Sequence, residues 1–312
     1  MVRNGYITYI SNGRDYKAVL NLAFNLTKVR SKFPLYCICL EDVSESIIDV
    51  LQSRGIKVVK FNLRSKLEEI NMNTEQIKFI KDKHLFGKFA MFNIPECEKF
   101  VYLDTDVLIL QNIDHLFGIN TKSNIFMVPD MQADRDYSKV ILIKNKFNSG
   151  VILSNYNKNI YATMYQLLFE NIDKLTIDDK ELFVSDQYIF EILHRIKNFS
   201  IKQLDIAYNI HPILVESAVN NKIIKEPLII HFMMKPKPWD IINLRAEEYK
   251  FENSKCKEYF LLWINMYYEL MTLLYFKDTS DKSNIKSYHW GVYNNENKLE
   301  YENNCINTEH LD

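Results

Sequence analysis

Short apolar runs alternate with stretches whose apolar residues recur every three and four positions, and this exchange repeats along the first 60 residues. Tyr6–Ile10 reads as a strand, followed by the polar turn Ser11–Asp15. Val19, Leu22, Ala23 and Leu26 then lie on one helical face. Leu35–Leu40 predicts a second strand, Ser44–Arg54 a helix ended by Gly55, and Ile56–Phe61 a third strand. Strands separated by helices of this length predict an α/β fold, a parallel sheet with right-handed crossovers. Further on, Leu85–Ile94 predicts a helix stopped by Pro95, and Lys99–Leu103 a strand that stops at Asp104-Thr105-Asp106. Ile125–Val128, Ser149–Ser154 and Leu228–His231 read as further strands, with helical patterns over 158–170 and 185–196.

The pattern changes after residue 245, which divides the chain into an α/β domain, 1–245, and a helical extension, 246–312. Tyr259–Phe276 is an 18-residue, mostly apolar and aromatic helix, with Glu258, Asn265, Glu269 and Thr272 drawing one narrow polar stripe. A membrane span would bury Asn265 and Glu269 in hydrocarbon, so docking onto the α/β domain or a partner subunit, as in a homodimer, is expected instead. Beyond Lys277 the tail is polar, a composition that predicts partial disorder.

Composition narrows the function classes. The 39 basic and 40 acidic side chains nearly cancel, so no sequence-wide field favours nucleic acid. The five cysteines show no metal-ligand spacing, and Cys37 and Cys39 sit in an apolar run as buried thiols on one face of a strand. The N-terminus passes directly into a strand with no apolar signal segment, so a cytoplasmic location is expected.

The candidate chemistry lies at strand ends. In open α/β sheets ligands bind at the carboxyl ends of strands near a switch in strand order, which makes Ser11–Asp15 a candidate nucleotide loop. The loop has neither GxGxxG nor a P-loop pattern. Asp104 and Asp106 are two apart; in extended chain both carboxylates would point to one side and could share one Mn²⁺ or Mg²⁺. Such a cation would offset charge on a departing diphosphate. The segment His231-Phe-Met-Met-Lys-Pro-Lys-Pro-Trp239 offers His231 as a third ligand and Lys237 as a phosphate contact. Asn148-Ser149-Gly150 and Asp186-Gln187 place amides and carboxylates where they could fix sugar hydroxyls; they also read as a turn and as a helix cap led by Ser185.

These segments together resemble the glycogenin-like glycosyltransferases of family 8. The resemblance runs over most of residues 1–245 and rests on Ile10-Ser-Asn12, the spacing from Lys88 to Asp104, Tyr102-Leu-Asp-Thr-Asp106, Asn112-Ile-Asp-His-Leu-Phe117, Pro129-Asp130, Asn148-Ser-Gly150, Asp186-Gln187, Tyr208-Asn209 and His231-Phe with Lys237-Pro-Trp239. It implies a single GT-A type domain with a Rossmann-like nucleotide half and a mostly parallel mixed sheet. It also implies a uridine diphosphate sugar as donor and retention of anomeric configuration. By that likeness Asp104, Asp106 and His231 hold Mn²⁺; Ile10, Ser11, Asn12, Tyr16 and Thr105 line the nucleotide; and Lys88 and Lys237 face the diphosphate. Asp130, Asn148, Ser149, Asp186 and Gln187 contact the transferred sugar, with Asp186, Asn148 and Lys237 as the catalytic set.

The expected activity is transfer of a hexose, glucose from UDP-glucose first, to a protein hydroxyl, a sugar or a polyol such as inositol. Two departures bear on this. Met234 stands where the family pattern has glycine after the histidine, and the segment after Asn209 carries no tyrosine that could accept the first glucose of a self-glucosylating protein. A nucleotidyltransferase with a two-aspartate metal site, and a catalytically silent binding protein, are the alternatives.

Overall fold

The computed structural model describes residues 3–122, 124–134, 137–176, 185–196, 199–242, 250–280, 291–293 and 299–301. The expected alternation is present: β1 (Asn4–Asn12), α1 (Tyr16–Lys28), β2 (Leu35–Asp42), α2 (Glu45–Ser53) and β3 (Lys57–Phe61) follow one another. Gly55 ends the second helix region with φ +79°, a backbone state that glycine adopts without steric cost. Two further helices, α3 (Leu63–Glu69) and α4 (Thr74–Lys83), lead back toward the sheet. Asn73 and Gln76 close a reciprocal capping box at the start of α4.

β4 (Lys99–Leu103) then inserts beside β1, on the side opposite β2. β5 (Val107–Ile109), β6 (Asn124–Ala133), β7 (Val140–Asn155), α5 (Lys158–Thr176), α6 (Asp186–Arg195) and β8 (Ser200–Gln203) follow. The seven-stranded sheet has the order β3-β2-β1-β4-β7-β6-β8. Its β3, β2, β1 and β4 run parallel, β7 is antiparallel to both neighbours, and β8 pairs parallel with β6. The chain thus leaves β1 toward β2 and β3 and returns on its other side as β4. That switch in order opens a crevice at the carboxyl ends of β1 and β4.

A second, two-stranded sheet pairs β5 with β9 (Ile229–His231), placing Val107 opposite His231. Its other edge is held by buried Asn25 of α1, whose amide donates to the Ile109 carbonyl at 2.8 Å and accepts from the Ile109 N–H at 2.7 Å. Between β8 and β9 lies α7 (Val215–Asn220).

Three local expectations give way. Leu85–Ile94 is not an α-helix; Phe86–Asn93 forms a long 3-10 segment. Every residue from Phe86 to Phe92 is buried, so the segment has no solvent face and tertiary packing overrides the helical pattern. Asp104-Thr105-Asp106 is a turn between β4 and β5, not extended chain. Asn148-Ser149-Gly150 is no turn either; it lies inside β7.

Beyond the main sheet, β6 and β7 continue as a ribbon. After a break opposite Asp130, Met131–Ala133 pair with Val140–Leu142, and among the described residues no further strand flanks that part on either side.

By its internal contacts the chain divides into Met1–Tyr267 and Tyr268–Asp312. Within the first unit, α8 (Ser254–Ser280) begins by burying Tyr259, Phe260, Trp263, Ile264 and Tyr267, while Glu258, Leu262 and Asn265 face solvent. Trp263 stacks on Tyr267 and meets Trp239 at 5.7 Å. The second unit holds the rest of α8 and a short antiparallel pair, β10 (Gly291–Tyr293) with β11 (Leu299–Tyr301). Most of the polar tail beyond Lys277 lies outside the described residues. Among the described residues, no helix is long and apolar enough to cross a membrane.

Candidate active site

The carboxyl end of β4 delivers the centre of the site. Leu103 ends the strand, the Asp104 N–H donates to the Gly150 carbonyl on β7 at 2.9 Å, and the chain turns so that Asp106 stands just before β5. Pairing of Val107 with His231 then brings the histidine beside the turn. His231 Nε2 lies 3.1 Å from Asp106 Oδ1 and 3.7 Å from Asp104 Oδ2. The turn and the strand pairing, rather than alternation along an extended chain, unite the three groups.

Room for the histidine comes from Gly150. A Cβ built there would clash with Cε1 and Nδ1 of the His231 ring, so any side chain at 150 would displace it. Asn148, two residues earlier, accepts from the Gly150 N–H at 2.9 Å and from Asn209 Nδ2 at 2.6 Å. Both donors take the amide oxygen, which turns the Asn148 NH₂ outward; it lies 2.9 Å from Met233 Sδ.

Two lysines neutralise the carboxylates. Lys88, on the 3-10 segment, is almost wholly buried and places its ammonium 3.1 Å from Asp104 Oδ1, 2.9 Å from Asp186 Oδ2 and 3.3 Å from Ser149 Oγ. Its approach to Asp186 is a close ion pair; Asp186 Oδ2 has no well-aligned hydrogen bond. Burial works against the Lys88 ammonium, but Asp104 and Asp186 outweigh it and hold its pKa above the usual lysine range. Lys237, from the loop after β9, donates to Asp106 Oδ2 at 2.6 Å and to the carbonyls of Phe232 and Met233. Burial alone would raise the Asp106 carboxyl; His231 and Lys237 prevail and hold it well below the usual carboxylate range.

Tyr102 was not singled out from sequence as a site residue, yet its hydroxyl donates to Asp104 Oδ1 at 2.6 Å from a fully buried ring. Gly150 and Asn209 were also outside the expected set. A tyrosine two before the first aspartate points to the same side of a strand as that aspartate, a signal present in the sequence. Nothing local could reveal that Gly150 faces His231.

The candidate nucleotide loop lies beside this cluster, with Asp15 within reach of the Asp106 charge. Ser11 is buried at the end of β1, and Asn12 caps the following 3-10 turn through the Arg14 N–H. Asp15, closing that turn, has its carboxyl pushed up by burial and by the neighbouring Asp106. Ile10 is buried in the core, so only its backbone can meet a ligand. Tyr16 opens α1, and Thr105 sits within the metal-ligand turn. Gln187 adjoins Asp186 at the start of α6, where the Ser185 side chain makes no capping bond. The Asp130 carboxyl accepts from the Met131 N–H, is raised by burial, and has Lys146 as its charged neighbour.

The donor set fits a divalent cation. One ligand atom from each of Asp104, Asp106 and His231 falls within 4.8 Å of the others, and two hard carboxylate oxygens with an imidazole nitrogen suit Mn²⁺ or Mg²⁺. Around them, Gln187 Oε1, Asn209 Oδ1 and His231 Nδ1 are buried without hydrogen-bond partners, the kind of unsatisfied group that marks ligand sites.

Comparison with known proteins agrees with this geometry. The model of Glycosyl transferase family 8 matches residues 9–243. Galactinol synthase 4 of Arabidopsis thaliana is 31% identical over 139 residues, 44% of this chain and 40% of that protein. Galactinol synthase 1 of Ajuga reptans is 37% identical over 117 residues, 36% of this chain and 33% of that protein. Galactinol synthase 1 of Solanum lycopersicum is 26% identical over 208 residues, 60% of this chain and 64% of that protein. The matched part thus spans 40% and 33% of the first two relatives' lengths. Among solved structures, the galactosyltransferase LgtC in complex with donor and acceptor sugar analogs superposes with TM-score 0.54 at 16% identity, covering 83% of this chain and 95% of its own. The glycosyltransferase GlyE of Streptococcus pneumoniae gives TM-score 0.54 at 16% identity, covering 88% of this chain and 64% of its own. These likenesses carry the fold, the GT-A type α/β architecture expected from the sequence resemblance.

Proposed function

The chain belongs to glycosyl transferase family 8, and from that premise we propose that it is a retaining, Mn²⁺-dependent hexosyltransferase acting from a uridine diphosphate sugar onto a hydroxyl. The observation that carries the proposal is the convergence of Asp104, Asp106 and His231 at the switch point, with Lys88 and Lys237 on either side. A divalent cation bound by these three would neutralise the charge developing on the leaving nucleoside diphosphate. Lys237, on a loop rather than in the core, can exchange Asp106 for a phosphate oxygen. Ser11, Asn12 and Tyr16 hold the uridine end, and Asn148 offers its NH₂ to a sugar oxygen.

Asp186 is the carboxylate assigned to the anomeric carbon. Lys88 holds it in place by an ion pair at 2.9 Å, so it can stabilise positive charge on the transferred sugar or attack it. The names of the relatives move our choice of sugar: where the sequence resemblance favoured glucose, proteins named galactinol synthase and a galactosyltransferase favour galactose. The acceptor we propose is a small polyol or a sugar.

Thermal shift against nucleotides with and without Mn²⁺ tests the reading, because a ligand of the native state raises the melting temperature. Stabilisation by UDP only with Mn²⁺ is the expected result. Stabilisation by nucleoside triphosphates alone would replace it with nucleotidyl transfer, and silence across the panel with a binding protein. UDP-galactose and UDP-glucose, incubated with inositol and simple sugars, then decide the donor by UDP release. Asp186→Asn is expected to lower transfer at least a thousandfold, on the order of 4 kcal/mol, while UDP·Mn²⁺ binding stays within a few-fold of wild type. Transfer at wild-type rate would remove Asp186 from the chemistry.

A further inference from the structure

The ribbon that continues β6 and β7 past the main sheet has no evident folding reason for its side chains. Tyr137, Ile141 and Leu142 are 46%, 43% and 47% exposed, among the largest apolar groups left in solvent. A two-stranded ribbon without sheet neighbours is marginal by itself, and three exposed apolar residues contribute nothing to its stability. Next to it lies the end of α7: Asn221 Nδ2 donates to the Ser138 carbonyl at 2.9 Å, and Val219 and Ile223 there are 37% and 40% exposed.

The charges interleaved with these residues have one sign. Tyr137–Lys146 contains Lys139, Lys144 and Lys146 and no acid; Ser217–Lys225 contains Lys222 and Lys225 and no acid. All five lysines are exposed. Lys146, at the root, is shared with Asp130 and Glu191, while the other four flank the apolar positions. In sequence, acidic residues stand at the margins, as Asp134, Asp136, Glu216 and Glu226, and Asp134 is taken up by Ser138 Oγ and the Lys139 N–H.

From this placement we propose that the ribbon and the end of α7 form a docking surface for an anionic lipid membrane. Ile141 and Leu142 are consecutive in a strand and so project from opposite faces of the ribbon. A flat protein partner would cover one face and leave the other wet; a lipid interface into which the tip dips covers both. Lysine stems accompany apolar side chains into such an interface while their ammonium groups meet lipid phosphates and carboxylates. The ribbon rises from between Asp130 and Asn148, so docking would set the candidate active site at the lipid surface. The proposal is independent of which sugar is transferred, and of whether any is.

Co-sedimentation of the full chain with phosphatidylcholine vesicles, with and without phosphatidylserine, tests it. Binding is expected only with phosphatidylserine and should weaken as salt is raised. Ile141→Asp with Leu142→Asp should cut that binding at least tenfold, and each of Lys139→Gln, Lys144→Gln and Lys222→Gln about fivefold. Melting temperature and UDP·Mn²⁺ affinity serve as controls and should match wild type. Failure of the wild-type chain to sediment with either vesicle overturns the proposal. So does equal binding by the paired aspartate variant, or equal binding to both vesicle types. If the wild-type chain is a dimer by light scattering, sediments with neither vesicle, and the paired variant is monomeric, the surface belongs to a second copy instead.

Discussion

Two lysines meet the aspartate turn, Lys88 at Asp104 and Lys237 at Asp106, yet their surroundings differ. Lys88 stands on a segment whose phenylalanines pack edge-on: Phe86 meets Phe89 at 5.8 Å, Phe89 meets Phe190 at 5.8 Å, and Phe92 meets Phe100 at 5.5 Å. Its side chain is 5% exposed and bridges Asp104 to Asp186. Lys237 stands on the loop after β9, is 21% exposed, and touches one carboxylate and two carbonyls. The first is a fixed part of the floor, without which buried Asp186 and the partly exposed Asp104 would repel. The second can leave its partner and meet a phosphate. One residue type thus stands as a buried counter-ion on one side and, on the proposed reading, as a movable ligand contact on the other.

The largest effect that separates them is on stability. Lys88→Met should destabilise the metal-free protein by about 3 kcal/mol or more, because it strands the buried Asp186 carboxylate beside the partly exposed Asp104. Urea unfolding in chelator measures this; a loss no greater than that of Lys237→Met would erase the distinction.

Next in size is a pH effect that reports the loop side. Burial, followed by the nearby His231 and Lys237, lowers the His211 pKa from 6.5 to about 4. A histidine whose pKa is depressed in the folded state contributes its full stability above the unfolded value and loses it as pH falls toward the folded one. The metal-free protein should therefore lose about 3 kcal/mol between pH 6.5 and 4 through this group, and His211→Gln should flatten that part of the curve. An unchanged slope would show that other groups carry it.

The smallest stability change belongs to Lys237→Ala, expected at about 1 kcal/mol or less for a partly exposed pair. Its signature lies in binding: titration calorimetry should find UDP·Mn²⁺ affinity down by about tenfold, the loss of one charge-assisted contact. If Lys237→Ala unfolds the protein instead, the loop is as structural as the floor.

The sequence exposed these two sides unequally. Alternating strands and helices made the parallel half readable, since each apolar period was local and long enough to register. The 3-10 segment that carries Lys88 was misread as a helix because it is buried all round and its pattern has no wet face to set the period. Asn148-Ser149-Gly150 resembled a turn, while its glycine serves a contact with His231, 81 positions later. The small sheet of β5 and β9 was half hidden as well: three-residue strands are too short for alternation to identify, and β5 went unseen. The three candidate ligands were picked out from residue type and order, and the structure brings them together, but the turn that makes them converge was not foreseen. The 1–245 boundary is kept as a proposal, to be tested by expressing that fragment and measuring its unfolding.

The pairing of Val107 with His231 also dictates an order of assembly. The aspartate turn emerges early in synthesis, while the strand that completes the ligand set comes near the end of the α/β unit. A nascent chain can lay down β1 to β4 and their helices yet hold no three-point grip on an ion until β9 docks, and such distant pairings close late. In refolding, ion capture should lag behind formation of the main sheet, so metal enters a nearly finished scaffold and does not nucleate it.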